Sequence, residues 1–425
     1  MTSSDPLEPD TTAHDTTATA QDATATAQNP NATGTATVTA TATDHDATVA
    51  AHDSLNGLAT GDAFGAQFFV PDNLPALRAR LLPPAPWPWT DDTEMACSVL
   101  LAPWDGEELD QDALARDFAR HHDFDRGYGP ATNRMLRLVR EGGDWRELAV
   151  GLFEGSGSWG NGAAMRVAPL GAGCAGRPAL AAEQAARSAR VTHTHPEAVA
   201  GAVAVAVAAA VAAAGTGGGA ELLDTVLSLT QPGRVRAGIA EARELLAQPH
   251  AELAAHRLGN GRQVSAVDTV PFALWCAARH LEDYEAALWA CASVGGDVDT
   301  TCAIVGGIVA ARVGTAGIPA AWRESVEPLP AWFYGFDSWA DAHAVPAAER
   351  YPCRCCGRLV HDQEPGEDTI CPLCFWAQDG PHRSASLAQA QANVREFGAC
   401  DRRSVSFVRR PLPGEPVDPD WRPIS

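Results

Sequence analysis

Lysine is absent from the 425-residue sequence, so all 31 residues of the Lys/Arg type are arginine. They face 53 aspartates and glutamates, which leaves a formal net charge of -22. A chain of this sign repels polyanions, so the composition argues against a general nucleic-acid binder. Hydrophobic residues make up 46% of the chain, which is enough for at least one large core and favours more than one domain.

The N-terminal tract, residues 1–51, has no lysine or arginine and no large apolar residues in periodic register. Such a tract cannot bury enough surface to offset the entropy of ordering, so we expect a disordered acidic tail rich in Thr and Ala. A secretory signal needs a basic segment and an apolar core, and a mitochondrial presequence needs arginines. The tract matches neither, which indicates a cytoplasmic protein.

Long apolar runs are scarce. The longest, "AVAGAVAVAVAAAVAAAG" at residues 198–215, approaches the length of a membrane span but is mostly alanine. Alanine favours the membrane weakly beside leucine or phenylalanine. One marginal run of this kind is typical of a buried core helix, and no membrane partner is expected.

Alternating β-branched runs are also few between Leu55 and Leu329. Segments such as "ALARDFARHHDF" and "RVRAGIAEARELLAQ" place apolar residues three or four apart, and Gly/Pro-rich loops separate them. The pattern predicts an all-α domain that carries its chemistry on the connecting loops.

Two of those loops are acidic and precede helices: "WPWTDDTEM", with Thr90, Asp91 and Asp92, and "GGDVDTT", with Asp297, Asp299 and Thr300. Helix N-termini attract threonines and carboxylates as caps, so each loop taken alone has an ordinary explanation. Two such loops could instead converge on one or two Mg²⁺ or Mn²⁺ ions, which prefer oxygen ligands. Spacing alone leaves both interpretations open.

Six motifs follow one another along this region: "GLATGDAFGAQF", "WTDDTEM", "SWGNGAAMRVAPLG", "THTHPEA", "GGDVDTTCAIVGGIVAARVG" and "IPAAW". In this order they resemble the ADP-ribosylglycohydrolase family, in particular its dinitrogenase-reductase-activating type. The resemblance implies an all-α fold, an orthogonal helical bundle at residues 52–330. It also implies metal-dependent hydrolysis of the glycosidic bond of an ADP-ribosyl group.

The resemblance further implies a centre with two Mg²⁺ or Mn²⁺ ions, whose ligands would be Thr90, Asp91, Asp92, Asp297, Asp299 and Thr300. Three of these carboxylates would help to accept the proton of the attacking water: Asp91, Asp92 and Asp299. The loop of Gly160, Asn161 and Gly162 would contact ADP-ribose, with His193 nearby. Its glycines let backbone N–H groups approach phosphate or ribose oxygens. His195 is expected to be structural.

One position departs from the family pattern. Many members carry a glutamate four residues after the last glycine of "GDAFG", where this chain has Phe69. A phenyl ring is neither a ligand nor a base, and the nearby Gln67 cannot take up a proton at neutral pH. Either metal-bound water suffices, or the substrate differs, or activity is lost. The chain is predicted to be a hydrolase, with a non-catalytic ADP-ribose-binding or regulatory protein as the alternative.

Five of the eleven cysteines fall between Cys353 and Cys374. Cys353 and Cys356 form one C-x-x-C pair, and Cys371 and Cys374 form a second. This spacing is typical of a closed, tetrahedral, structural Zn²⁺ site. Cys355 is surplus and could replace Cys353 as a ligand. The few apolar residues around the cysteines indicate that metal binding drives folding here.

The stretch "YPCRCCGRLVHDQEPGEDTICPLCFW" resembles the cysteine-rich CPCC domain family, with Arg354 where that family usually has proline. The likeness spans residues 351–416 and implies a small zinc-ribbon-like domain with short strands near residues 351–380. Residues 331–350 would then be a linker and 417–425 a tail. Expected partners are an ADP-ribosylated substrate or ADP-ribose, and a protein that binds the zinc domain; nucleic acid is not expected.

Overall fold

A computed structural model of the chain describes residues 44–336, 350–361, 363–366, 369–377, 386–409, 411 and 415–424. Residues 41–425 form one unit, so the helical part and the cysteine-rich part are described in one frame. The expected disordered tail lies outside the described residues as far as residue 43, and so does most of the expected linker, at residues 337–349.

The helical part is built from α-helices joined by short loops, as the apolar spacing predicts. A small antiparallel hairpin pairs β1 (Trp104–Asp105) with β2 (Glu108–Leu109). The helices are α1 (Asp44–Ala66), α2 (Leu74–Ala79), α3 (Asp91–Leu101), α4 (Gln111–His121), α5 (Pro130–Arg140), α6 (Trp145–Gly151), α7 (Ala168–Gly173), α8 (Pro178–Arg190), α9 (Pro196–Ala213), α10 (Gly219–Leu229), α11 (Arg234–Glu244), α12 (Ala251–Leu258), α13 (Ala266–Arg279), α14 (Tyr284–Ala292), α15 (Val298–Val313) and α16 (Ala320–Ser325).

Helix α1 begins earlier than the sequence predicts. We expected the disordered tail to reach residue 51, but the helix already starts at Asp44. Ala51 is 3% exposed, and Ala50 packs against the hydrophobic core of the helical part. The prediction was wrong for residues 44–51 because packing of small alanines against a neighbouring helix stabilises a segment whose composition alone favours disorder.

Helices α1 and α15 lie in very close contact, and three glycines of α1 make this possible. Gly57, Gly61 and Gly65 recur every four residues and therefore share one face of the helix. A Cβ at any of them would lie between 2.1 and 2.4 Å from an atom of α15. Larger side chains would force the helices apart, so the glycines bring the C-terminal end of α1 against the N-terminus of α15.

An aromatic cluster fixes the same end of α1. The Phe64 ring stacks on Trp322 of the "IPAAW" motif, with 4.4 Å between centroids. Trp289 meets Phe64 edge to face at 5.0 Å, and Trp87 lies 5.8 Å from it. Such pairs add specific geometry to the burial of large apolar surfaces. The turn of α1 that carries Asp62 is thereby held in place.

Helix α9 contains the long apolar run. It is the one helix of the described residues with the length and hydropathy of a membrane span, and 72% of that span is buried inside the protein. It packs against α7, α8, α10, α13 and α15. This agrees with the predicted buried core helix.

The cysteine-rich part pairs β3 (Tyr351–Pro352) with β4 (Leu359–His361) and adds helix α17 (Leu387–Phe397). The last described residues return to it: the Asp418 N–H donates to the Gly357 carbonyl at 2.8 Å, and Trp421 Nε1 donates to the Arg354 carbonyl at 3.0 Å. Residues 415–424 are thus part of this domain rather than a separate tail.

Candidate metal centre and ligand site

The first acidic loop leads into α3, and its threonine is the helix cap. Thr90 has an extended backbone, and its Oγ1 accepts a hydrogen bond from the Asp92 N–H at 3.4 Å. Because a threonine already caps the helix, the carboxylates of Asp91 and Asp92 are not needed for that purpose. Asp92 is nevertheless 1% exposed, which is unusual for a charged residue in the first turn of a helix.

Asp62, near the C-terminal end of α1, holds this loop. Its carboxylate accepts hydrogen bonds from the Thr90 N–H at 2.9 Å and the Thr90 hydroxyl at 2.8 Å. It also accepts from the Thr93 N–H at 3.1 Å and the Thr93 hydroxyl at 2.6 Å. Asp62 is fully buried. A carboxylate from one helix therefore fixes the N-terminus of another.

The second acidic loop turns sharply into α15. Gly295 and Gly296 have φ of 65° and 90°, values that favour glycine. Asp297 occupies the N-cap position, yet its side chain caps no backbone N–H. Its Oδ2 instead accepts a hydrogen bond from Asn161 Nδ2 at 2.6 Å. The simple capping interpretation of this loop therefore does not fit Asp297.

The two acidic loops meet. One carboxylate oxygen from each of Asp62, Asp92 and Asp299 lies within 4.8 Å of the other two. Thr300 Oγ1 lies 3.4 Å from Asp92 Oδ2. Asp92 Oδ1 is buried and has no hydrogen-bond partner among the described residues. The expectation that the loops lie together is confirmed. The unpartnered oxygen is available to a cation, which would satisfy it as buried carboxylate oxygens normally are.

Electrostatics point the same way for these five acids, Asp62, Asp91, Asp92, Asp297 and Asp299, called the acidic cluster below. Burial, followed by repulsion from Asp62, raises the pKa of Asp91 to about 8. Burial and neighbouring carboxylates raise the pKa values of Asp92 and Asp299 well above the ordinary value. Burial also raises the pKa of Asp62 and of Asp297. A divalent cation would offset the repulsion between these carboxylates. The cluster also offers oxygen donors and negative charge, which Mg²⁺ and Mn²⁺ prefer.

The glycine loop, residues 160–162, is tied to the second acidic loop. Asn161 is 3% exposed, and its Nδ2 bridges Asp297 Oδ2 and Thr269 Oγ1, at 2.6 and 3.0 Å. Beside the loop, the exposed rings of Phe153 and Trp159 lie 4.6 Å apart. Flexible backbone, a nearby acidic cluster and an exposed aromatic pair together suit a ligand with phosphates, a sugar and a base.

His193 lies beneath the glycine loop. Its side chain is 5% exposed, and its Nε2 would be 3.3 Å from a Cβ placed on Gly160 and 3.1 Å from one on Gly162. Burial, and secondarily the charge of Arg166, lower its pKa to about 3, so the ring is neutral. His195, in contrast, caps α9 by accepting the Glu197 N–H at 3.1 Å, as expected for a structural histidine.

The four cysteines of the C-x-x-C pairs converge. Their Sγ atoms all lie within 4.8 Å of one another, with Cys353 and Cys374 at 3.6 Å and Cys356 and Cys371 at 3.8 Å. Each pair forms the same tight turn, in which a backbone N–H donates to the first sulfur at 3.4 Å. Cys355 is buried but lies outside this group.

The residue after each C-x-x-C pair has a left-handed backbone. Gly357 has φ of 73°, and Phe375, at the equivalent place, has φ of 60°. A Cβ on Gly357 would lie 2.3 Å from the Trp421 ring, so glycine serves both the turn and the packing of the C-terminal segment. Phe375 accepts the strained conformation while stacking on Phe407 at 4.9 Å.

The model of the ADP-ribosylglycohydrolase family matches residues 43–352, more than half of the chain. The chain belongs to this family. A second family model, Cysteine-rich CPCC, matches residues 351–415. The chain is therefore an ADP-ribosylglycohydrolase-family protein with a CPCC domain.

The names of the ARH3 relatives agree with the family match, and other proteins are similar to the chain as well. ADP-ribosylhydrolase ARH3 of Homo sapiens is 30% identical over 274 residues, which cover 56% of this chain and 74% of that protein. An uncharacterized protein of Archaeoglobus fulgidus is 33% identical over 287 residues, 64% of this chain and 89% of that protein. A solved structure titled "ADP-ribosylglycohydrolase-related protein complex" is 28% identical, with a TM-score of 0.49, and covers 67% of this chain and 93% of that chain.

The sequence predicts no role for Asp62. It lies within "GLATGDAFGAQF", and an aspartate inside a helix carries no local signal of a site. The spacing of Gly57, Gly61 and Gly65 could have identified it: these glycines mark the face of α1 that meets α15, and Asp62 adjoins that face. Phe69, the departure from the pattern, is 55% exposed.

A large cavity lies elsewhere. It has a volume of about 1330 Å³ and separates the helical part from the CPCC domain, with Trp89, Glu94 and Arg126 on one wall and Arg358 and Arg395 on the other. Side chains of both signs line it, and none of the acidic cluster does. The acidic cluster and the glycine loop, rather than this cavity, carry the chemical features of the family site.

Proposed function

We propose that the protein is a metal-dependent hydrolase that cleaves the glycosidic bond joining an ADP-ribosyl group to its acceptor. The observation that carries the proposal is the meeting of Asp92 and Asp299 from two separate loops, with Asp92 Oδ1 buried and unpartnered. Family membership supplies the reaction class, and the name of the ARH3 relatives supports an ADP-ribosylated substrate or ADP-ribose as the ligand.

The residues at the two loops fit Mg²⁺ or Mn²⁺, because they offer carboxylate and hydroxyl oxygens and no nitrogen or sulfur. We assign two ions to the ligands that the family resemblance implies: Thr90, Asp91, Asp92, Asp297, Asp299 and Thr300. Asp62 has its oxygens occupied by Thr90 and Thr93, so it orients the first loop. When bound, the cations supply a water of lowered pKa and an electrophilic anchor for ribose hydroxyls.

Side chains of the protein have separate roles in this reaction. Asp91, Asp92 and Asp299 would accept a proton from water, and their negative charge would stabilise the positive charge that develops on the ribose ring. Asn161 holds the glycine loop against Asp297, so the diphosphate and the reacting sugar are positioned by one connected unit. The exposed Phe153 and Trp159 rings offer a stacking surface for the base.

A second candidate function follows from Phe69. Its ring offers no proton acceptor at a place where many family members have a carboxylate, and it is exposed rather than buried in the core. The alternative is an ADP-ribose-binding or regulatory protein without turnover. The two functions differ in a measurable way: both bind ADP-ribose in calorimetry, but only the hydrolase releases it from a modified substrate.

The experiment measures ADP-ribose release with Mg²⁺ or Mn²⁺ for the wild type and Asp299→Asn. We expect release by the wild type and a loss of at least 100-fold in the variant, because Asn removes a charge from a site that holds hard cations. Asp283→Asn is the matched control: Asp283 is the N-cap of α14 and accepts the Ala286 N–H at 2.9 Å, and Asn caps equally well. Equal activity of Asp299→Asn and Asp283→Asn would show that the carboxylates of the second loop act only as helix caps.

We also propose that Cys353, Cys356, Cys371 and Cys374 hold one structural Zn²⁺. A tetrahedron with Zn–S bonds of about 2.3 Å has sulfur–sulfur edges of about 3.8 Å, close to the 3.6 and 3.8 Å separations here. Reduced thiols of this kind are consistent with a cytoplasmic protein. The domain is also a candidate surface for a protein partner.

The zinc proposal predicts that a chelator releases one zinc per chain and unfolds the CPCC domain while the helical part keeps its circular dichroism and melting transition. Cys371→Ser should show the same loss without a chelator. Cys355→Ser is the control, because Cys355 lies outside the four-sulfur group. A zinc-free CPCC domain that stays folded, or zinc loss from Cys355→Ser alone, would contradict the assignment.

A further inference from the structure

Arg166 is fully buried, and none of its hydrogen bonds to the described residues goes to a carboxylate. Its guanidinium donates to Met95 Sδ at 3.4 Å, to the Ser188 carbonyl at 3.2 Å and to Thr192 Oγ1 at 2.9 Å. It also lies 4.4 Å above the Phe118 ring. Burying an arginine without a carboxylate partner is costly, since its charge has to leave water. Its position therefore calls for an explanation.

The hydrogen-bond polarity along this chain of groups is determined by chemistry. A guanidinium has donors only, so Thr192 Oγ1 must accept from Arg166. The threonine hydroxyl has one proton, and among the described residues the one acceptor within hydrogen-bond distance of it is His193 Nδ1, at 2.7 Å. Oγ1 has room to accept a second hydrogen bond, from an Nδ1–H, but its own buried proton would then have no partner. The hydroxyl therefore donates to Nδ1, and a nitrogen that accepts cannot itself carry a proton.

The remaining nitrogen of His193 lies on the side of the glycine loop. Both Gly160 and Gly162 would bring a Cβ within 3.3 Å of Nε2, and at Gly162 a Cβ would also lie 2.9 Å from Cε1. A Cβ at Gly162 would therefore displace the ring, and one at Gly160 would press against it. The neutral ring follows from burial and the charge of Arg166, which lower the pKa of His193 to about 3.

We infer that Arg166, acting through Thr192, fixes His193 as the Nε2–H tautomer and thereby makes it a hydrogen-bond donor to an acceptor oxygen of the ligand on the glycine loop. Arg166 and Thr192 are positioning residues in this arrangement. The ligand part of the inference depends on the proposed function, with ADP-ribose as the ligand, and the tautomer part does not. A nitrogen that carries a proton has no lone pair for a base, so His193 binds rather than abstracts a proton.

The first test is a long-range ¹H–¹⁵N spectrum of protein labelled at the histidine rings, recorded near pH 7 without ligand. His193→Gln identifies the signals among the 13 histidines. We expect the pattern of a ring protonated at Nε2 only. A pattern of Nδ1 protonation, or of a doubly protonated ring, overturns the inference without any variant of Thr192 or any functional assay.

The second test compares Thr192→Val with Thr192→Ser. Valine keeps the shape and removes the hydroxyl, whereas serine keeps the hydroxyl. We expect Thr192→Val to give a mixed tautomer pattern and to bind ADP-ribose about 3- to 10-fold more weakly, the equivalent of one neutral hydrogen bond. Thr192→Ser should match the wild type in both measurements.

The outcomes separate the two proposals. Equal affinity of Thr192→Val, Thr192→Ser and the wild type overturns the ligand part of the inference. If the wild type does not bind ADP-ribose at all, the proposed function and the ligand part fail together, and the spectrum alone decides the tautomer. Loss of the Nε2–H pattern in Thr192→Ser contradicts the proposed action of Arg166 through the hydroxyl at position 192, because serine still has that hydroxyl.

Discussion

Replacing Asp92 by asparagine should change the stability of the folded protein little without a divalent cation, and much more with one. The change keeps the shape of a side chain that is 1% exposed and removes its charge. Burial and neighbouring carboxylates raise the pKa of Asp92 well above the ordinary value, so without metal the neutral form of this side chain is favoured more than it is in an exposed aspartate. The metal-free variant should therefore be within about 1 kcal/mol of the wild type, the range of substitutions that break no essential contact.

Cation binding separates the two proteins. At a concentration 100 times its Kd, a ligand specific for the folded state stabilises it by about 2.7 kcal/mol. For a domain of this size that corresponds to a rise in Tm of roughly 5 °C. If Asp92→Asn weakens the site 100-fold, the same concentration stabilises the variant by only about 0.4 kcal/mol, which is under 1 °C.

The effect should depend on pH with a definite sign. The folded pKa of Asp91 is raised to about 8, above its ordinary value of 3.8. Between these values the unfolded chain has lost the proton and the folded chain keeps it, so stability of the metal-free protein falls as pH rises from about 4 to about 8. Mn²⁺ replaces the proton, and its stabilisation should be larger at pH 8 than at pH 5.

The assay is thermal unfolding of the helical part, followed by circular dichroism after dialysis into metal-free buffer, with and without Mn²⁺. A chelator is omitted because it would also strip the four-cysteine site. Asp283→Asn, at a true helix cap, should respond to Mn²⁺ as the wild type does. An undiminished Mn²⁺ response in Asp92→Asn, or a metal-free loss of more than about 3 kcal/mol, would refute the reasoning.

Three further changes test other parts of the account. Asn161→Ala removes the donors to Asp297 Oδ2 and Thr269 Oγ1, so we expect about 1–3 kcal/mol of destabilisation and weaker ADP-ribose binding by calorimetry; unchanged binding would separate the glycine loop from the ligand. Gly357→Ala should speed zinc release, because its Cβ would displace the Trp421 ring, whereas Gly398→Ala, with φ of 89° and open space around it, should not; equal rates would contradict this. Phe69→Glu, at an exposed position, should leave the free energy of unfolding within about 0.5 kcal/mol of the wild type and raise the rate of ADP-ribose release; a lower rate would exclude a need for a carboxylate there.

Helical periodicity predicted the all-α architecture because apolar spacing is a local property of the chain. The acidic loops were also visible locally, but their purpose was not, since capping and metal binding use the same residues at the same spacing. What separates the two interpretations is tertiary. Asp297 accepts a hydrogen bond from Asn161, which is far from it in the sequence. Asp92 Oδ1 is buried and has no hydrogen-bond partner among the described residues. No pattern of neighbouring residues contains either fact.

The start of α1 and the role of Asp62 were missed for a related reason. Residues 44–51 have the composition of the low-complexity tract before them, and their helix is stabilised by packing against other elements. Asp62 acts on Thr90 and Thr93 of another helix, so its four hydrogen bonds cannot be inferred from its own surroundings in sequence. The cysteine spacing, in contrast, predicted the four sulfurs that converge, because each C-x-x-C pair forms one tight turn, and it left open only whether Cys355 replaces Cys353.

Anomalous diffraction from crystals soaked with Mn²⁺ and ADP-ribose decides whether the two acidic loops form the cation site of an ADP-ribosyl hydrolase. We expect manganese peaks about 2.2 Å from carboxylate oxygens of Asp92 and Asp299, with ADP-ribose electron density running from those peaks along residues 160–162. Manganese absent from this place, or ADP-ribose bound away from it, would show that the loops are not that site.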